Sequence, residues 1–170
     1  LQKHAESAAS RGLVAMLELK RAELAFYHLD QADAGLEALS VLARDAHVGR
    51  AARSVLVTIA RQGAVDASTG LSILRDVADL ASSTGDTWSE AEVIHARGLL
   101  EDDSVSQGQA FVRAASLLVS TAAPVESGSL GNYQRRAFEY AASALDVDPN
   151  NEDAVAHLGS LVHPLEAYDD

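Results

Sequence analysis

Two amphipathic helical patterns meet at an Asp148-Pro149-Asn150-Asn151 turn, and this joint restricts the possible folds more than any other stretch. Positions 133–162 read YQRRAFEYAASALDVDPNNEDAVAHLGSLV. Before the turn, Tyr133, Ala137, Tyr140, Ala141 and Ala144 recur at the three-and-four spacing of one helix face. After it, Val155, Leu158, Gly159 and Val162 do the same. Pro149 ends the first pattern, since it has no N–H to donate and its ring clashes with the preceding turn. Asn151 is placed to cap the second, and Glu152 and Asp153 suit the positive end of its dipole. Small residues on the first face let a second helix come close. The joint therefore predicts an antiparallel helical hairpin.

The rest of the chain reads the same way. Apolar residues make up 48% but aromatics only 5%, with much alanine and leucine, a mixture that suits close helix packing better than strands. A helix is expected from Leu13 to about Leu29, with Gly12 as a break before it and Leu13, Met16, Leu17, Leu24 and Phe26 as its apolar positions. Positions 31–35 read as a turn with Asp33 as N-cap, leading to a short helix with Leu36, Leu39 and Ala43 on one face. A third helix begins near Val48 with Ala51, Ala52, Val55 and Ile59 on its face, and Gly63 is placed to end it. A fourth follows Asp66, apolar over much of its circumference, and stops at 82–85. Thr87 with Glu90 has the form of a capping box, and Ser104 to Gln107 repeats the signal. The helices so begun carry Ala91, Ile94, His95 and Gly98, and then Phe111, Ala114, Ala115 and Leu118. The stretch 121–131 reads as a loop, and His163-Pro164 is expected to end the last helix. Nothing reads as a strand.

The spacing of Ala137, Ala141, Ala144 and Pro149, continued by Val155, Leu158, Gly159 and Val162, resembles the tetratricopeptide repeat. A looser match joins Ile94 and Gly98 to Ala110, Ala114 and Leu117. The resemblance covers 137–162 well and the first four helices only in architecture. It implies an all-α fold of antiparallel helical hairpins stacked as a right-handed, TPR-like α-solenoid of about eight helices. On that basis 1–170 is one helical-repeat domain, with 1–12 and 164–170 frayed. Gly159 is expected at a close helix contact, where a larger side chain would overpack. The eighth helix has no pairing helix after it, which makes it a cap or a surface for self-association.

The chemistry the sequence excludes is broad. With no cysteine there is no disulfide, zinc-thiolate site or cysteine nucleophile. No histidine stands four residues from another to offer a two-histidine metal face, and no Lys-Ser or Lys-Thr phosphate loop is present. The GSLG at 128–131 lacks the first glycine of a nucleophile elbow, and the acidic run at 101–103 lacks the spacing of a calcium loop. No catalytic residue, metal or cofactor is expected. The net charge of −12 repels nucleic acid and anionic membranes and favours a basic protein or peptide partner. No apolar run is long enough to span a bilayer, so membrane insertion is not expected. The chain opens on Leu1 with no signal-peptide pattern, which reads as a fragment or processed chain in a cytoplasmic setting.

The register implied by the resemblance puts Glu92, His95 and Leu99 of the fifth helix, and Asp153, His157 and Ser160 of the eighth, along an inner groove. Lysine and asparagine, which a carboxylate clamp requires at such positions, are absent. The function expected is a non-catalytic protein–protein interaction scaffold that binds a peptide or protein segment in this groove. The alternative is a helical sensor or regulatory segment of a larger signalling or transcription-regulating protein.

Overall fold

The computed structural model describes residues 2–121 and 131–166, with side chains over 10–121 and 131–161. Eight helices account for these residues: α1 (Gln2–His28), α2 (Ala32–Leu42), α3 (Gly49–Arg61), α4 (Ala67–Thr84), α5 (Thr87–Gly98), α6 (Ser104–Thr121), α7 (Asn132–Val147) and α8 (Glu152–Glu166). No strand occurs among the described residues. The loop expected at 121–131 falls almost wholly outside them. No described helix is long and apolar enough to cross a membrane. The chain divides into two compact units, Leu1–Leu80 and Ala81–Asp170.

In the first unit, α1 and α2 pack as an antiparallel pair. Here the structure corrects the sequence reading twice. The helix begins at Gln2 and runs through Gly12, so 2–12 is helical where fraying was expected. Its buried face is Ala15, Leu19, Ala22 and Ala25, while Leu13, Met16, Leu17 and Leu24 point outward. The reason lies across the contact. A Cβ placed on Gly35 of α2 would sit 2.6 Å from the Phe26 nitrogen and 2.9 Å from the Ala22 oxygen, so the two backbones nearly touch. At that point of closest approach an alanine-sized residue, Ala22, faces Gly35, and Leu19 is buried farther along the same face. Positions 32–35, read as turn, are therefore the first turn of α2, and Asp33 lies inside it.

α3 packs on α2, with Leu39, Leu42 and Ala43 of the one and Ala52, Leu56 and Ile59 of the other buried. Buried Arg53 donates to the Ala43 carbonyl at 2.6 Å and so satisfies an acceptor at the end of α2. Asp45 turns the chain into α3 by accepting from the N–H groups of His47 and Val48, and these bonds hold its carboxyl below the usual range. Gly63 ends α3 at a φ of +64°, in the left-handed region that favours glycine, as its placement predicts. Asp66 then caps α4. The hydroxyls of Ser68 and Thr69 and both their N–H groups donate to it and hold its carboxyl well below the usual range. Ile73, Leu74 and Val77 form the buried side of α4.

In the second unit the caps fall one residue earlier than the sequence suggests. Asp86 and not Thr87 caps α5, accepting from the Ser89 hydroxyl at 2.6 Å and from the Ser89 N–H. Asp103 and not Ser104 caps α6 through the Ser106 N–H at 2.8 Å. In each case a carboxylate precedes the hydroxyl and takes the role, as the better acceptor for the positive helix end. Asn151 caps α8 as expected, accepting from the Ala154 N–H at 3.0 Å. The apolar stripes of α6 and α7 are buried as read: Phe111, Ala114, Ala115 and Leu118 against Ala137, Tyr140, Ala141 and Ala144.

The last helix differs from its reading. It runs through Pro164 to Glu166. Pro164 has no N–H to donate back along the helix, so the final turn holds one backbone bond fewer. Its inward residues are Ala154 and Leu161, with Leu158 half-buried, while Val155 is exposed. Gly159 is also exposed, and a Cβ added there meets nothing within 4 Å. The expected close contact at Gly159 is absent. Since glycine in a helix interior costs about 0.5–1 kcal/mol relative to alanine, Gly159→Ala is expected to raise stability by that amount. A urea denaturation midpoint that moves down instead would place Gly159 in a packed contact after all.

Candidate functional site

Two places in the structure gather polar or accessible groups. The first lies inside the second unit, where α5, α6 and α7 meet. Glu92 and His95, expected to line a groove, are both buried there. Helical spacing brings them to one side of α5, and that side faces α7. Arg136 reaches across from α7 and donates from Nη2 to Glu92 Oε1 at 3.1 Å and from Nη1 to Glu139 Oε2 at 2.8 Å. Its guanidinium carbon also lies 5.2 Å from the centre of the Tyr140 ring, a cation–π placement. Burial opposes its charge, but Glu139, Tyr140 and Glu92 outweigh that effect and hold the proton more firmly than usual.

His95 is held between two aromatic rings. Its ring centre is 4.2 Å from Tyr140 at an interplanar angle of 14° and 4.4 Å from Phe111 at 26°. Both faces of the His95 ring are therefore covered. Glu92 is already engaged by the guanidinium. The arrangement clamps α5 to α7 and fills the space between them with rings.

The other residues expected in the groove are scattered. Leu99 is the exposed C-cap of α5 at 41%. Asp153 and Ser160 are exposed on α8, and the Ser160 hydroxyl donates to the His157 carbonyl. His157 is half-buried, with Nε2 2.7 Å from the Ser116 oxygen. That hydroxyl donates its single proton to the Val112 carbonyl at 2.8 Å, so it accepts from His157 Nε2–H. His157 thus joins α8 to α6. The structure brings Glu92 and His95 together, and neither forms a common open surface with Leu99 or the α8 residues. Among the described residues, no three histidine or acidic side chains gather as a metal site.

The second place is an open groove of about 500 Å³ in the first unit, between α1 and α2. Ala22 and Ala25 of α1 and Ala34 and Ala38 of α2 form its floor, and Val41 lies at one end. Glu18, Arg21 and Glu37 supply charges at the edge. The groove exists because of the close approach at Gly35. Two helices joined by small side chains leave a shallow apolar trough along their seam. Sequence reasoning missed it because 31–35 reads as a turn and the α1 leucines dominate the apolar pattern. The available signal was the alanine spacing at 15, 22 and 25 with 34 and 38. The chain matches no protein-family model, no curated protein and no solved structure.

Proposed function

We propose that this chain is a non-catalytic interaction module, built of tetratricopeptide-like hairpins, that receives a helical peptide or protein segment in the α1–α2 groove. The observation that carries this reading is the groove itself, an open trough in which the accessible Ala34 and Ala38 lie beside the buried Ala22 and Ala25, with Glu18, Arg21 and Glu37 also lining it. An alanine floor exposes apolar surface at backbone level, which suits the apolar face of an amphipathic helix. With Glu18 and Glu37 against Arg21, the edge is acidic by one charge and favours a basic flank on the partner. The repeat-like reading is supported by Gly98, where an added Cβ would lie 2.8 Å from the Ala110 Cβ, a small-on-small contact between α5 and α6. The burial of Glu92 and His95 supports the non-catalytic reading, since these titratable groups serve packing.

The test is selection of amphipathic helical peptides on the purified chain, followed by amide shift mapping. The shifts are expected at Ala22, Ala25, Ala34 and Ala38. Ala38→Phe, which fills the trough, is expected to weaken binding at least about tenfold, or roughly 1.4 kcal/mol. Shifts confined to the second unit would sink the assignment.

A further inference from the structure

We propose that the outer face of α1 is a dimerisation surface that takes a second copy of this chain. This face is separate from the groove. At 100° per residue, Leu13, Leu17 and Leu24 lie on the side of α1 opposite the buried Ala15 and Ala22. Leu13 is 60% exposed, Met16 56%, Leu17 63%, Leu24 51% and Tyr27 41%. With Lys20 among them, positions 13, 17, 20, 24 and 27 alternate four and three residues apart, which is the spacing of a two-helix seam. The Lys20 ammonium is drawn aside to Glu23 Oε2 at 2.7 Å, so its methylene stem can lie along the seam.

Charge decides which partner this face accepts. Across the seam, positions 10–28 carry Arg11, Lys20 and Arg21 against Glu18 and Glu23, three basic minus two acidic, or +1 with His28 neutral. The whole chain carries −12. Two copies therefore meet here without the acidic repulsion that acts between the molecules at large, and a basic segment finds no complement. Area supports the same partner and sets its strength. The five apolar side chains offer on the order of 500 Å² per copy, and the stem of Lys20 extends this toward the roughly 800 Å² per partner of a standard interface. An interface of roughly that size falls among weak, reversible pairings.

The test is sedimentation equilibrium of the full chain over a concentration series. The wild type is expected to pass from monomer to dimer with a Kd between about 1 and 100 µM. Leu17→Glu with Leu24→Glu places two acids in the seam and is expected to raise the Kd at least about 100-fold while leaving the helical circular dichroism unchanged, since both positions are exposed. If that variant loses helicity, Leu17→Ala with Leu24→Ala replaces it, with a rise of at least about tenfold expected. A wild type that remains monomeric at several times about 100 µM overturns the proposal, as does a seam variant that dimerises as the wild type does. Neither Leu17 nor Leu24 lines the groove, so peptide binding there is expected to survive the substitutions, and failure of one reading is visible apart from the other.

Discussion

Replacing Phe111 with alanine is expected to cost about 3–5 kcal/mol and to give the largest loss of any single truncation in the second unit. Its side chain is 1% exposed. One face stacks on His95, and the ring edge lies where a Cβ on Gly98 would approach to 2.9 Å. The same side chain packs with Ala144 of α7 and Ala154 of α8. Four helices thus meet on one ring, with Gly98, Ala144 and Ala154 beside His95 and the half-buried Val112, Leu145 and Val147 of the same cluster. The alanines among these neighbours have no rotamers with which to refill a void, so much of the cavity stays open. Trp88, the single tryptophan, lies 5.2 Å from Tyr133 and packs against the neighbouring cluster, so its fluorescence reports the transition. A urea midpoint within error of the wild type would mean that the ring is not packed as described. Phe111→Leu, which retains most of the volume, is expected to cost less than about 1.5 kcal/mol.

The stretch around that ring was the most legible part of the sequence, and the reason is physical. In α6 and α7 the helical period and the side-chain volumes agree: alanines recur at contact spacing and the large residues fall between them. In α1 the two signals conflict. Hydrophobicity points to Leu13, Leu17 and Leu24 as the inward face, but the backbone approach at Gly35 turns inward the face of Ala15, Leu19, Ala22 and Ala25. Periodicity reveals that a helix has an apolar face, and volume decides which of two such faces is buried. The candidate groove was lost with that choice. At Glu92 and His95 the missing information was non-local. Their places follow from Arg136 and Tyr140, some 44 positions later in the chain, and no spacing within α5 reveals an ion-pair partner on another helix. The caps at Asp86 and Asp103 were missed by one residue because a hydroxyl with Glu90 or Gln107 three positions on fits the capping pattern as well as the carboxylate before it.

Gly35→Ala adds one methyl group and is expected to destabilise the first unit by about 2 kcal/mol. The added Cβ would be 2.6 Å from the Phe26 nitrogen, 2.9 Å from the Ala22 oxygen and 2.9 Å from the Phe26 Cα. All three are backbone atoms of α1, so no rotamer change relieves the clash and the helices themselves must separate. Overpacking of this kind costs about 3 kcal/mol at the upper end of its usual range. Against it stands the gain of about 1 kcal/mol from replacing glycine by alanine in a helix. Gly159→Ala makes the same chemical change on an open face and isolates that gain, so the two variants are expected to move in opposite directions. The difference between them, about 3 kcal/mol, measures the α1–α2 contact with helix propensity cancelled. Hydrogen exchange at the amides of Leu39 and Leu42, buried side chains of α2, reads the effect locally. A loss of 2 kcal/mol corresponds to exchange faster by about 30-fold. Gly35→Ala should also splay the seam that forms the groove floor, so peptide binding at Ala22 and Ala34 is expected to weaken along with stability. If Gly35→Ala instead stabilises the chain as Gly159→Ala does, the backbones of α1 and α2 do not approach as described, and the groove assigned to their seam fails with them.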